Sequence, residues 1–432
     1  MINLNLFYFF WLSLNLSLIS AFSFQNNYNV LGNVDRARSI DENIISQNQA
    51  DLSLFEAVKS GEETRVKMLL DAGYDPNHKS SNSLAPIFFV PNRRIAELLV
   101  RAGADLNAKD LDNRNVLFHI RDRDTLKYLI EQGADVNNVD TATGETLLHS
   151  ISDREIARLL LEKGADANAT AGYGATPLHK NNSADVSQVL IDYGADLNAL
   201  NDFNLKWTPL EYALSVQKVN LEKIKVLVNN GAKLAVTDGD RGQPLFLARS
   251  ADVARTLIDS GEDVKARGDR GKTVLFGVND IELAKLFVSL GVDVKAEDEN
   301  GNTALFFTRN DSVVEFLIAR GANINHKNHN NETPLLNATS LLPNTSRFSA
   351  KNRELIKVLV ENGAEVNIKD SLNQTPLSKV VMEQDVAMIN YLIQNGADAR
   401  DLDYRVIEKK YSDFSKKYLY EVKRFLQQHY SK

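Results

Sequence analysis

The 432-residue chain contains no cysteine. That absence excludes disulfides, thiolate zinc sites, iron–sulfur ligation, cysteine nucleophiles and cysteine-linked lipid anchors. It does not fix a compartment, because exported proteins can do without disulfides. A basic excess is missing too: 50 Lys and Arg face 57 Asp and Glu, a net charge of -7. A chain-wide positive surface for a phosphate backbone is therefore absent, and nucleic acid is not an expected partner. Nucleophile elbow, glycine-rich phosphate loop, kinase signature and zinc-protease helix motif are all lacking. The reading is accordingly of a non-enzyme with no catalytic, metal or cofactor-binding residues and no cofactor. Hydrophobic residues at 43% and charged residues at 25% are ordinary globular proportions, which exclude wholesale disorder and a polytopic membrane protein.

One long apolar run is present. Residues 6–19 are apolar over the length of a signal-peptide core, and Ala21 and Ser23 after them fit a small-x-small cleavage pattern, so residues 1–23 are expected to be a secretory signal. No Lys or Arg precedes the run, and it extends to Phe24, nearly long enough to span a bilayer. An uncleaved membrane anchor is the alternative, and a cytoplasmic chain with an apolar tail a third. Residues 24–50, polar and rich in Asn, read as a linker.

The rest of the chain is periodic. Gly recurs at 73, 103, 133, 164, 194, 231, 261, 291, 321, 363 and 396, mostly 30 residues apart, in phrases such as Gly103-Ala104-Asp105-Leu106-Asn107. Four residues before each Gly stands Leu, or Phe287 in one copy, and eight before it another apolar residue usually recurs, as at Ile95, Ile156, Val186, Val253, Leu283, Val313, Leu355 and Met388. This is helical spacing with one buried stripe. The Gly then supplies the positive φ that closes the helix. Eleven residues before the Gly lie Asn92, Asp122, Asp153, Ser183, Asn220, Ser250, Asp280, Asn310, Asn352 and Asp385, with Glu62 the one exception. These side chains cap helix starts, so each unit is expected to hold a second helix of about ten residues running from cap to Gly.

About twelve residues after the Gly a second phrase opens, as in Thr146-Leu147-Leu148-His149, Thr176-Pro177-Leu178-His179 and Thr333-Pro334-Leu335. Its Pro is pre-set for a first helical turn. Between the phrases lie turn signals such as Asp240-Arg241-Gly242 and Glu299-Asn300-Gly301, read as hairpin-like connectors. The T-P-L-H phrase, the G-A-D-x-N phrase and the unit length together resemble the ankyrin repeat. The resemblance covers residues 51–400 as about eleven units and implies an all-α solenoid of stacked helix-turn-helix units. It also implies an inter-unit hydrogen bond for His149 and His179. Seven units run only 18 residues from the Thr slot to the Gly, where the last, Thr375 to Gly396, runs 21. The missing residues fall at the end of the first helix, which is expected to shrink to about one and a half turns. Residues 401–432, with Tyr404, Ile407, Tyr411, Phe414 and Tyr418 at helical spacing, read as a C-terminal cap.

Solenoids bind with the positions that carry no packing duty. Partner-binding candidates at the connector tips are Asp112, Asn113, Arg114, Tyr173, Phe203, Leu205, Trp207, Asp240, Arg241, Asp269, Arg270, Asn300, His329 and Asn330. Phe203 to Trp207 is favoured, because that connector is longer than its neighbours and carries three large apolar side chains. A nine-residue insertion within 338–351 is too apolar for a spacer and either docks on the array or offers a contact. The expected function is an exported, monomeric, non-enzymatic binder of one or more proteins through hairpin tips and the concave helix face. A membrane-tethered scaffold is the alternative, and contact with membrane is expected only if the N-terminal segment stays uncleaved.

Overall fold

The computed structural model describes residues 54–80, 84–202, 206–233, 243–340, 348–382, 385–402 and Arg424. The expected signal and linker therefore lie outside the described residues, as does nearly all of the expected C-terminal cap. The chain divides into two compact units, Met1–Ala142 and Thr143–Lys432. Both are built from helix pairs, and the described residues include no strand.

In the first unit, a helix over 54–60 precedes the successive helices Glu63–Asp71, Arg93–Arg101 and Arg123–Glu131, which pack side by side. In the second unit the same stacking runs through Arg154–Glu162, Ala184–Asp192, Leu221–Asn229, Ala251–Asp259, Ile281–Ser289, Asp311–Ala319 and Phe348–Glu361, and Val386–Gln394 follows. All eleven periodic glycines have φ between +83° and +105°, as a helix terminator in the left-handed region requires. Their preceding Leu residues at 99, 129, 160, 190, 227, 257, 317, 359 and 392 are buried, which makes one continuous apolar seam within each unit.

The caps act as their spacing predicts in nine places. Asn92, Asp122, Asp153, Ser183, Asn220, Ser250, Asp280, Asn310 and Asp385 each accept a backbone N–H with the side chain, while Glu62 makes no such bond. Asn352 is a correction. The helix there begins at Phe348 and runs through Asn352, which is buried inside it. The insertion before it supplies the extra turn, while Ala338 and Thr339 at its other end continue the helix Pro334–Ser340 and are buried. Residues 341–347 lie outside the described residues.

The first helices are shorter than expected. In six units they are single turns of three or four residues: Pro86–Phe89, Val116–Phe118, Leu147–His149, Pro177–Lys180, Pro244–Leu247 and Ala304–Phe306. Among the described residues, the helix over 54–60 and Pro209–Ser215, Pro334–Ser340 and Pro376–Met382 reach seven residues. One turn cannot satisfy its own C-terminal carbonyls, and the next unit does it instead. The Asn181 side-chain amide donates to the carbonyls of Leu148 (3.2 Å) and Ile151 (2.6 Å), and that of Asn337 to the carbonyl of Phe306 (2.8 Å).

Candidate interaction surface

The connectors at 110–114, 298–302, 328–332 and 370–374 are tight hairpins closed by their own backbone. Asp110 N–H donates to Arg114 O (3.0 Å), Asp298 to Asn302 (2.9 Å), Asn328 to Glu332 (2.9 Å) and Asp370 to Gln374 (3.0 Å). The Asp or Asn opening the loop also accepts two amides with its side chain, for example those of Asn300 and Asn302 on Asp298, both at 2.9 Å. This explains the recurrence of Asp and Asn there.

Successive tips are joined by one main-chain bond. The tip carbonyls of Arg270, Asn300 and Asn330 accept from the N–H of Glu299 (2.9 Å), His329 (3.0 Å) and Ser371 (3.0 Å), and that of Tyr173 from Asp202 (2.6 Å). The backbone of the tips is thus occupied, and what they offer outward is side chain. Arg270, Asn300, His329 and Asn330 are exposed, and Asp269 is half-buried, 3.9 Å from Lys272.

Three candidates in the first unit are instead bonded to neighbouring groups of the scaffold. The Arg114 guanidinium pairs with Asp110 (3.1 Å) and Asp112 and lies 3.7 Å from Asp140, and Asn113 Nδ2 donates to Val139 O at 2.9 Å. These bonds brace neighbouring hairpins, so Asp112, Asn113 and Arg114 serve the scaffold. Phe203, Leu205, Asp240 and Arg241 lie outside the described residues.

Among the described residues, two tips carry consecutive left-handed residues. Tyr173, between Gly172 and Gly174, sits at φ +59° with 69% of its surface exposed, and Arg270 at φ +51° precedes Gly271 at +73°. Two consecutive left-handed residues make the hairpin turn in which Asn and Gly are normal at the first position. A bulky side chain there is strained by about 1 kcal/mol or more.

Trp207 is half-buried. Its ring lies edge-on to Tyr212 (centroids 6.3 Å apart), which is edge-on to His179 (6.1 Å). His179 Nδ1 accepts the Thr176 N–H at 3.2 Å, which leaves Nε2–H to donate to Trp207 O at 2.9 Å. His149 repeats the arrangement, accepting from Thr146 N–H (3.1 Å) and reaching Ala175 O (3.2 Å). Burial pushes both imidazoles below their ordinary pKa, so they act as neutral clips between hairpins. His326 bonds to Gly301 O at 2.9 Å, and the described residues contain no cluster of three or more metal-ligating side chains.

Spacing in the sequence does not single out Lys223. It occupies the slot eight residues before Gly231 that is apolar in most units, and it is 2% exposed. The signal was a Lys in a column that is apolar in eight of its ten other places, Arg65 and Thr125 being the exceptions. Glu262 was missed likewise, in the place after Gly261 where Ala is usual. A groove of about 690 Å³ crosses the helices Asp311–Ala319, Phe348–Glu361 and Val386–Gln394. Two of its cations are neutralised, Arg353 by Asp385 (2.5 Å) and Lys357 by Glu354 (2.9 Å).

A family model described as ankyrin repeats (3 copies) matches residues 87–171, 118–201, 153–238 and 272–370. The chain is an ankyrin-repeat protein. The matches cover more than half of it and take in most of the single-turn units, Pro244–Leu247 lying outside them, so the loss of first-helix turns leaves the repeat intact as a unit. No curated protein matches the chain. Ankyrin repeats make it a protein–protein interaction module, of a family that typically serves as a non-enzymatic scaffold. Among the described residues, no helix is long and apolar enough to cross a membrane.

Proposed function

We propose that this ankyrin-repeat protein is exported and binds partner proteins through its hairpin tips and concave helix face, with Tyr173, Arg270 and the Trp207 connector as anchors. The supporting observation is Tyr173, a strained, left-handed aromatic held out between two glycines. Aromatic and Arg side chains dominate interface energetics, and these two are presented on backbone already fixed by inter-tip bonds. Asn300, His329 and Asn330 extend the surface along the row.

The test is affinity capture by the full chain, compared with Tyr173→Gly and Arg270→Gly. Each variant relieves the turn, so its melting temperature should hold or rise, by about 1 kcal/mol of stability for Tyr173. Captured partners should fall by tenfold or more, the rough cost of losing one hot spot. Full capture by both variants would remove these tips from the surface. Export is tested by sequencing the N-terminus of the mature protein. A start near Phe24 supports a cleaved signal, and an intact Met1 supports the tethered scaffold.

A further inference from the structure

We propose that Lys223 is a positioning residue for the tip that carries Trp207, acting through His179, and that protonation of its amine loosens that tip. The inference rests on the reading of the tips as the binding surface.

The geometry has two links. The short helix Pro177–Lys180 ends with free carbonyls, and Lys223 Nζ donates to His179 O at 3.1 Å and Asn181 O at 2.6 Å. In the preceding pair of units a side chain of the following first-helix segment does this work: Asn181 itself, five residues after the Thr slot. Five residues after Thr208 stands Ala213, which has no donor, so the bond must come from the second helix, Leu221–Asn229. Only a long side chain reaches that far. The second link is the ring of the same His179, which holds Trp207 O. One residue thus takes its main-chain support from Lys223 and passes it to the tip.

Among the described residues the amine has no counter-charge. Around it, His179 is neutral, Lys180 pairs with Glu145, and Glu211 on Pro209–Ser215 accepts the Thr208 N–H at 2.8 Å. Asp185 and Asp192 on Ala184–Asp192 are exposed, as are Asp252, Arg255 and Asp259 on Ala251–Asp259. Glu222 on its own helix pairs with Lys225. No acid among the described residues bonds to Lys223, and burial lowers its pKa to about 7. A folded pKa below the unfolded 10.5 means that the unfolded chain holds the extra proton between those values. Stability therefore rises with pH through that window, and below it the buried ammonium exacts its full cost. The neutral amine keeps both hydrogen bonds without that cost.

The chain has two tryptophans, so full-length protein carrying Trp11→Phe reports on Trp207 alone. Acrylamide quenching of that emission should rise about twofold as pH falls from 8.5 to 6, as the tip loosens over the titration of one group. Lys223→Met, which fills the same space without a donor, should quench at the acid-form level throughout and show no pH dependence in that range. Relative to Lys223→Met, the wild-type unfolding constant should fall by up to about tenfold per pH unit between pH 7 and 10. A flat Trp207 profile in the Trp11→Phe protein overturns the proposal, whether or not the Met variant folds. So does a Met variant that keeps the wild-type profile. Neither readout needs a partner, so loss of the binding role for Trp207 would register separately.

Discussion

Glu262 follows Gly261 in the place held by Ala104, Ala134, Ala165, Ala195, Ala322, Ala364 and Ala397 in other units. Its carboxyl is half-buried there, and burial raises its pKa from 4.5 to about 7. The Gln243 side-chain amide, oriented to donate, lies 3.1 Å from it. A folded pKa above the unfolded one means that the folded protein holds the extra proton between the two. The favourable share is present below pH 4.5 and is lost as pH rises through 7. Glu262→Ala should therefore leave stability unchanged in acid and raise it at neutral pH, by on the order of 1 kcal/mol because half of the group stays in water. Urea unfolding at pH 4 and pH 8 checks this, and an equal effect at both would show that the carboxyl is not the cause. Lys223 and Glu262 are both charged residues in small or apolar slots, but they respond to pH with opposite sign and in different windows.

At the scale of the element, the nine-residue second helices are too short to be stable alone. Their ends are therefore worth specifying, which the row of Asn, Asp and Ser caps does. Asp153 accepts from both Glu155 N–H (2.9 Å) and Ile156 N–H (3.0 Å). Asp153→Ala should cost about 1 kcal/mol. Glu62, which caps nothing, stands as the internal control, and Glu62→Ala should change stability by less than about 0.5 kcal/mol. Equal losses in thermal unfolding would contradict the cap assignments. The caps were legible because a cap bond spans only two or three residues, so spacing alone reveals it. Asn352 was misread for the same reason: it keeps the spacing, but the insertion before it continues the helix upstream and leaves no free N–H groups to cap. The first helices also came out shorter than their spacing implied. The carbonyls that a missing turn would have bonded are taken by Asn181, Lys223 and Asn337 of the following units, and this trade between units has no signature within any one of them.

Across the molecule, the last residue of the G-A-D-x-N phrase ties one unit to the next. Asn77 donates to Gly103 O and accepts the Asp105 N–H, and Asn168, Asn325 and Asn367 make the same pair of bonds with Gly194, Gly363 and Gly396 and the residue two beyond. At 265 and 295 the residue is Lys, whose stem lies beside Gly291 or Gly321 instead. In a linear array stability is a sum of nearest-neighbour terms, so the joints after Lys265 and Lys295 lack a contribution that those after Asn77, Asn168, Asn325 and Asn367 have. Lys265→Asn and Lys295→Asn should each stabilise by about 1 kcal/mol, and Asn168→Ala should cost a similar amount. Hydrogen exchange resolved by helix would locate the changes. Indifference of all three variants would show that the side-chain ladder is incidental to stacking.

Periodicity in the amino-acid order alone determined the repeat, the helix ends, the glycine conformations and the row of outward tips, because each depends on residues within one turn of one another. Only the tertiary structure decided which tip side chains are tied to neighbouring hairpins. Asp112, Asn113 and Arg114 look as available as Arg270 in the sequence, yet they are bonded to neighbouring hairpins, as at Asp140 and Val139, 26 residues away in sequence. It likewise decided that Lys223 is buried and bonded to carbonyls more than 40 residues earlier in the chain. The physical reason is the same in both cases: stacking brings equivalent positions of successive units within hydrogen-bond reach, and which groups meet there is set by the packing between units.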